Sequence, residues 1–191
     1  GGTQTGKAIS AVAAPMFKKL SLELGGKNAN IIFEDCDFEE AVKTSVRAAF
    51  ANQGQICLCG SRIYVQRSIY NQFKEAFVAR VKGLTVGDPL VESTRTGAVV
   101  SKAHFEKVLS HIAVAIEEGG TLLTGGSPVK LDGRCKNGYF IEPTVFENLD
   151  ASCRTNQEEI FGPVVTLTPF DTEEEALALG NSTSYGLAAT V

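Results

Sequence analysis

Two residues able to do covalent chemistry stand in the first third of this 191-residue chain. Cys57 lies in Asn52-Gln53-Gly54-Gln55-Ile56-Cys57, and Glu23 lies in Leu22-Glu23-Leu24-Gly25-Gly26-Lys27. A thiol that ionises is a nucleophile, and a carboxylate within its reach is a base. Together they suit a two-step reaction: attack on a carbonyl carbon, then hydrolysis of the thioester that results. Cys57 falls just past an expected helix end, in a polar stretch whose free backbone N–H groups can lower a thiol pKa and stabilise an oxyanion. The plainer reading of a lone cysteine is an inert, buried one. Glu23 interrupts an apolar strand, and half burial there would raise its pKa towards that of a useful base. Alternation along the strand allows the opposite, an outward-facing surface carboxylate.

The other reactive side chains give weaker signals. Cys59 reads as a packing residue or a modest influence on its neighbour, and Cys36, Cys135 and Cys153 as structural thiols. Cys57-x-Cys59 is too closely spaced for the usual zinc pair, so no metal site is expected. His104 and His111 fall on or beside one helix and read as surface or packing residues. Gly1-Gly2-Thr3-Gln4-Thr5-Gly6 precedes a helix, and such a loop offers N–H groups to phosphate, although the full dinucleotide fingerprint is incomplete. Glu158-Glu159 reads as the start of a solvated turn with Phe161 in the core. Gly162-Pro163 then tightens that turn enough to hold Glu159 rigidly.

These residues need elements to position them. Lys7–Ala14 reads as a short helix ended near Pro15. Leu20–Leu24 alternates as a strand until Gly25-Gly26 breaks it, and Asn30–Phe33 is a second strand. Asp35 and Asp37 offer N-caps to a helix with Phe38, Ala41, Val42, Val46 and Ala49 on one face. Ile63–Val65 is a strand, followed by a helix from Ser68 through Val81. A further helix puts Phe105, Val108, Leu109, Ile112, Ala115 and Ile116 on one stripe and stops at Gly119-Gly120. Leu122-Leu123, Tyr139–Ile141, Val164–Leu167 and Leu187–Ala189 read as strands, with a short helix from Thr172 to Leu179. Strands alternating with amphipathic helices predict an α/β fold of three layers, αβα, around a mostly parallel sheet.

Bulk properties narrow the classes of function. Hydrophobic residues make up 43% of the chain and charged residues 21%, an ordinary globular balance. Net charge is −4 with no basic block, which argues against nucleic acid or an anionic membrane as partner. No apolar run is long enough to span a bilayer, and no signal-peptide pattern is visible. Five cysteines form no secreted-type framework and fit a reducing compartment, the cytoplasm. The chain opens on Gly1 inside a glycine-rich loop and closes on an apolar, strand-like segment, which predicts an internal piece of a longer protein.

Taken together, Glu-Leu-Gly-Gly-Lys at 23–27, Asn-x-Gly-Gln-x-Cys at 52–57 and Glu-Ile-Phe-Gly-Pro at 159–163 resemble, in order and spacing, three motifs of the NAD(P)-dependent aldehyde dehydrogenases. The resemblance covers essentially the whole chain. It implies oxidation of a small aldehyde to a carboxylic acid, with Cys57 the nucleophile and Glu23 the base that activates the hydrolytic water. It implies NAD as cofactor, with NADP the alternative. Gly1, Gly2, Gly6 and the backbone of Leu24 would lie beside that cofactor, Glu159 would hold the nicotinamide ribose and Phe161 would back the ring. Lys27 and Asn52 would give structural support. Residues 1–25 would be the end of a dinucleotide-binding domain, and 26–191 a catalytic domain truncated at its C-terminal end. The intact protein would be a homodimer or homotetramer and this chain well under half of a subunit. Ile56-Cys57-Leu58-Cys59 with Ser61-Arg62-Ile63-Tyr64-Val65 is similar to the branch that oxidises aminomuconic or hydroxymuconic semialdehyde. Two further classes remain open: a scaffold that keeps the fold without activity, and a thiol acyltransferase whose product is a thioester.

Overall fold

The computed structural model describes residues 1–191. In chain order the helices are α1 (Thr3–Ala13), α2 (Phe38–Phe50), α3 (Arg67–Lys82), α4 (Lys102–Glu117), α5 (Arg154–Gln157) and α6 (Glu173–Gly180). The strands are β1 (Ala29–Ile32), β2 (Arg62–Gln66), β3 (Thr121–Thr124), β4 (Pro128–Val129), β5 (Phe140–Ile141), β6 (Thr144–Glu147), β7 (Val164–Phe170) and β8 (Ala189–Thr190). Six strands form one sheet in the order β3-β6-β7-β2-β1-β8, and β4 pairs with β5 in a separate ribbon. Every neighbouring pair of the large sheet is parallel except β3 with β6.

Strand alternation builds the expected three layers. Ile63 and Val65 of β2, Val165 and Leu167 of β7 and Val145 of β6 face a core closed by Val46 and Phe50 of α2 and Phe73 and Phe77 of α3. Their neighbours point the other way. Phe146 and Val164 meet Val108, Ile112 and Ala115 of α4, while Ile31 and Tyr64 meet Ala176 of α6. A sheet covered on both faces explains why its strands read as nearly continuous apolar runs.

Local chemistry fixes the helix ends. Asp37 accepts from the Glu40 N–H and caps α2, Ser101 accepts from His104 N–H and caps α4, and Thr172 accepts from Glu175 N–H and caps α6. Arg62 on β2 is buried without a carboxylate partner. Its guanidinium donates instead to the carbonyls of Lys27, Leu179 and Gly180, to Tyr64 Oη and to Ser182 Oγ, at 2.8–3.1 Å. It therefore ties β2 to the segment before β1 and satisfies carbonyls at the end of α6.

Several expectations are corrected. Leu20–Leu24 is not a strand: no neighbouring strand supplies a ladder, and its backbone tie is a 2.9 Å bond from Gly1 N to the Glu23 carbonyl. The first helix opens at Thr3 rather than Lys7, so the glycine loop shortens to Gly1-Gly2 and Gly6 lies within α1. Tyr139–Ile141 contributes to the small ribbon and not to the main sheet. β6, which the sequence pattern does not announce, lies between β3 and β7, one strand in from the edge of the sheet.

Candidate active site

The nucleophile loop begins where α2 ends. Asn52, Gln53 and Gly54 take left-handed φ values of 49°, 57° and 69°, which turns the chain sharply away from the helix axis. At Gly54 a side chain is impossible for a second reason: its Cβ would fall 2.1 Å from the Gly162 carbonyl oxygen. The loop carrying Cys57 and the Glu159–Pro163 turn are therefore packed back to back. Cys57 is half-buried at the crest of the loop. Asn28, buried at the edge of β1, donates through Nδ2 to the Cys57 carbonyl at 2.6 Å and to the Cys59 carbonyl at 3.1 Å. The loop's own bonds run from Gln55 N–H to the Asn52 carbonyl and from Cys59 N–H to the Ile56 carbonyl. Neither uses the Cys57 N–H, the backbone donor that an oxyanion beside the thiol requires. Cys59 is buried, and burial pushes its thiol pKa up.

Cys57 opens onto a cleft of about 620 Å³. Gly1, Gly2, Glu23, Leu24, Glu159 and Phe161 all line it, so the structure gathers seven of the eight sequence-predicted site residues, the thiol included, around a single hollow. The exception is Gly6, which is buried under Leu24, where an added Cβ would meet Leu24 Cδ1 at 2.7 Å. Glu23 stands exposed at the rim, so the half burial expected of a strand residue is absent. Of the support residues, Lys27 is buried and desolvation, then the nearby Arg62, lowers its pKa to about 7. Asn52 donates from its amide to the Gln55 carbonyl at 3.2 Å and closes the loop.

The opposite wall is the turn after α5. Glu158 turns away and pairs with Arg154 at 2.9 Å, which holds its carboxyl below the usual carboxylate range. Glu159 turns inward and accepts from Gly26 N–H at 3.1 Å. Gly25 makes room for it, since a Cβ there would fall 2.1 Å from Glu159 Oε2. The left-handed residue of this turn is Phe161, with φ 59°, and not the glycine that follows. Gln55, Ile56, His104 and Lys107 complete the lining, and no sequence argument singles out Gln55, His104 or Lys107 as site residues. A polar first turn on α4, displaced from the apolar stripe, was the available signal. His111 is buried instead, its Nε2 4.0 Å from Glu158, and desolvation lowers its pKa.

A carboxylate able to accept from sugar hydroxyls, an aromatic ring and an ammonium group, set around a hollow of this size, fit the nicotinamide–ribose half of a dinucleotide. The thiol and the exposed carboxylate fit a small carbonyl compound. That combination is what the chemistry of a thiol-dependent dehydrogenase would require. Residues 1–191 match the aldehyde dehydrogenase family, and the chain belongs to it. It is 50% identical over 193 residues to 2-aminomuconic semialdehyde dehydrogenase of Mus musculus, covering 100% of this chain and 40% of that protein. It is 47% identical over 192 residues to 4-trimethylaminobutyraldehyde dehydrogenase of Oryzias latipes, covering 100% of this chain and 38% of that protein. Among solved structures, betaine aldehyde dehydrogenase of Staphylococcus aureus in complex with NAD+ superposes with a TM-score of 0.92 at 46% identity, over 98% of this chain and 37% of that one. The chain thus spans about two fifths of the relatives it matches.

Proposed function

We propose that the protein containing this chain oxidises a small aldehyde to a carboxylic acid, with residues 1–25 closing a dinucleotide-binding domain and 26–191 forming the catalytic domain. The observation that carries the reading is the single cleft shared by Cys57, Glu23, Glu159 and Phe161. Cys57 thiolate attacks the aldehyde carbon, and the oxyanion of the thiohemiacetal is met by the Cys57 N–H. Glu159 and Phe161, with the backbone of Leu24 and Gly1-Gly2, would hold NAD or NADP, which when bound supplies the hydride acceptor that converts the thiohemiacetal to a thioester. Glu23 then takes a proton from water as the water attacks the thioester carbon, and the acid leaves as the Cys57 sulfur is released. A carboxylate at the rim, open to solvent, suits a base that must recruit water. The same placement favours free acid over an acyl group passed to a second thiol.

Relatives named for semialdehydes and for trimethylammonium aldehydes lie at similar identity. The resemblance around Ile56–Cys59 supports a muconic-type semialdehyde as substrate, the five unpaired cysteines suit a reducing compartment such as the cytoplasm, and the family resemblance implies a homo-oligomer. Separately, no helix here is long and apolar enough to cross a membrane. The test is a panel of both aldehyde classes given to the intact subunit with NAD, following NADH and free acid. Cys57→Ala should abolish NADH formation while leaving cofactor affinity unchanged. Retained turnover above a few per cent, or a thioester as sole product, would overturn the reading.

A further inference from the structure

The turn that carries Glu159 and Phe161 is held from outside by α4. His104, in the first turn of that helix, has Nε2 2.6 Å from the Phe161 carbonyl oxygen. A carbonyl only accepts, so Nε2 carries the proton and donates. The imidazole also meets the Phe161 ring edge to face, with centroids 6.0 Å apart and planes at 69°. One turn further along, Lys107 Nζ donates to the Glu159 carbonyl at 3.1 Å. The two bonds grip the carbonyls on either side of Ile160, which is itself buried in the core under α4. The chain just before α4 is bonded to the other wall: Val100 N–H donates to Gln55 Oε1 at 3.0 Å, two residues before Cys57. The start of α4 is thus connected to both the nucleophile loop and the turn opposite it.

Phe161 needs such a hold. Its left-handed φ is uncommon for a bulky residue and persists only where the surroundings impose it. Gly162 packing on Gly54 supports the turn from behind, but the carbonyl and ring of Phe161 are addressed by His104. We infer that His104 is a positioning residue: acting through Phe161, it fixes the plane against which the nicotinamide ring lies and hence the distance from hydride acceptor to Cys57. The inference rests on the aldehyde dehydrogenase reading above.

The test uses the intact enzyme with His104→Gln, His104→Asn and His104→Ala. Glutamine can place an N–H near the Phe161 carbonyl, asparagine falls one methylene short, and alanine offers nothing. His104→Gln should stay within about threefold of the parent in kcat while the other two lose about 10- to 100-fold, the cost of misplacing one reactant. Their isotope effect with aldehyde deuterated at the carbonyl should rise as hydride transfer becomes slow. A second readout needs no turnover: amide hydrogen exchange of the cofactor-free enzyme should quicken in residues 158–163 for Asn and Ala, and stay parental in α3 and β2. Parental kinetics and exchange in both, an equal loss in His104→Gln, or exchange that rises across the whole domain would each overturn the role. If His104→Ala does not fold, the Asn–Gln contrast decides. A parental enzyme that oxidises no aldehyde would sink the underlying reading, while the exchange arm still reports whether His104 holds the turn.

Discussion

Lys27 shows how the motif around Glu23 works at the level of single groups. It is 2% exposed, no carboxylate pairs with it, and its pKa falls to about 7, first from desolvation and then from Arg62. An unfolded lysine titrates near ~10.4. Between pH ~7 and ~10 the unfolded chain therefore binds more protons than the folded one, and stability rises with pH across that window. Below pH ~7 both states are charged and this slope vanishes. Lys27→Met should remove that contribution, so the urea midpoint of the variant should climb less than the parent's between pH 7 and 9. Parallel slopes would show that Lys27 stays charged in the fold. Asn28, next in sequence, works differently: it sits under the nucleophile loop, accepts from Ala188 N–H at 3.2 Å and holds the Cys57 carbonyl. One short segment thereby supplies the rim carboxylate, the opening for Glu159 and the clamp beneath the thiol.

At the level of elements, the site is the meeting of two turns and one helix start. Gly54 is where the turns touch, and its substitution separates them. Gly54→Ala must relieve a 2.1 Å approach to the Gly162 carbonyl and adopt φ 69°. About 1–3 kcal/mol of lost stability is expected, with a fall in turnover as the walls of the cleft part. Gly186→Ala is the control, since nothing lies within 4 Å of its added Cβ; it should change the unfolding midpoint by a tenth of that or less. Equal effects at both positions would mean that the contact between the turns is not what holds the cleft. The long helices and most of the parallel strands were legible in sequence by their period, and the residues of the three motifs by the family resemblance that their order and spacing carry. Two kinds of feature were not. The Leu20–Leu24 alternation reads as a strand, yet a strand exists only where another chain segment completes its ladder. β6 is four residues following Pro143, too short for any period to show, and its neighbours in the sheet alone make it a strand. His104 escaped for the same reason: its partner, the Phe161 carbonyl, lies 57 positions away.

At the scale of the whole molecule, helices pack on both faces of the sheet, and α1 with the turn after it carries exposed apolar side chains. Val12, Met16 and Phe17 stand 70%, 59% and 95% exposed on α1 and the turn after it. The chain is about two fifths the length of its relatives. A dehydrogenase reading requires further structure to bind the rest of the dinucleotide, so every activity measurement belongs to the intact subunit. The central claim is that the acyl group passes through Cys57 and that Glu23 releases it. Glu23→Gln should let thioester form and then stall. After rapid mixing with NAD and an aldehyde, acid quench and peptide mass spectrometry, the peptide between Arg47 and Arg62 should carry one acyl group, with fragment ions placing it on Cys57 and its amount matching the burst of NADH. An acyl group on Cys59, or steady turnover at the parental rate with no adduct, would contradict the account.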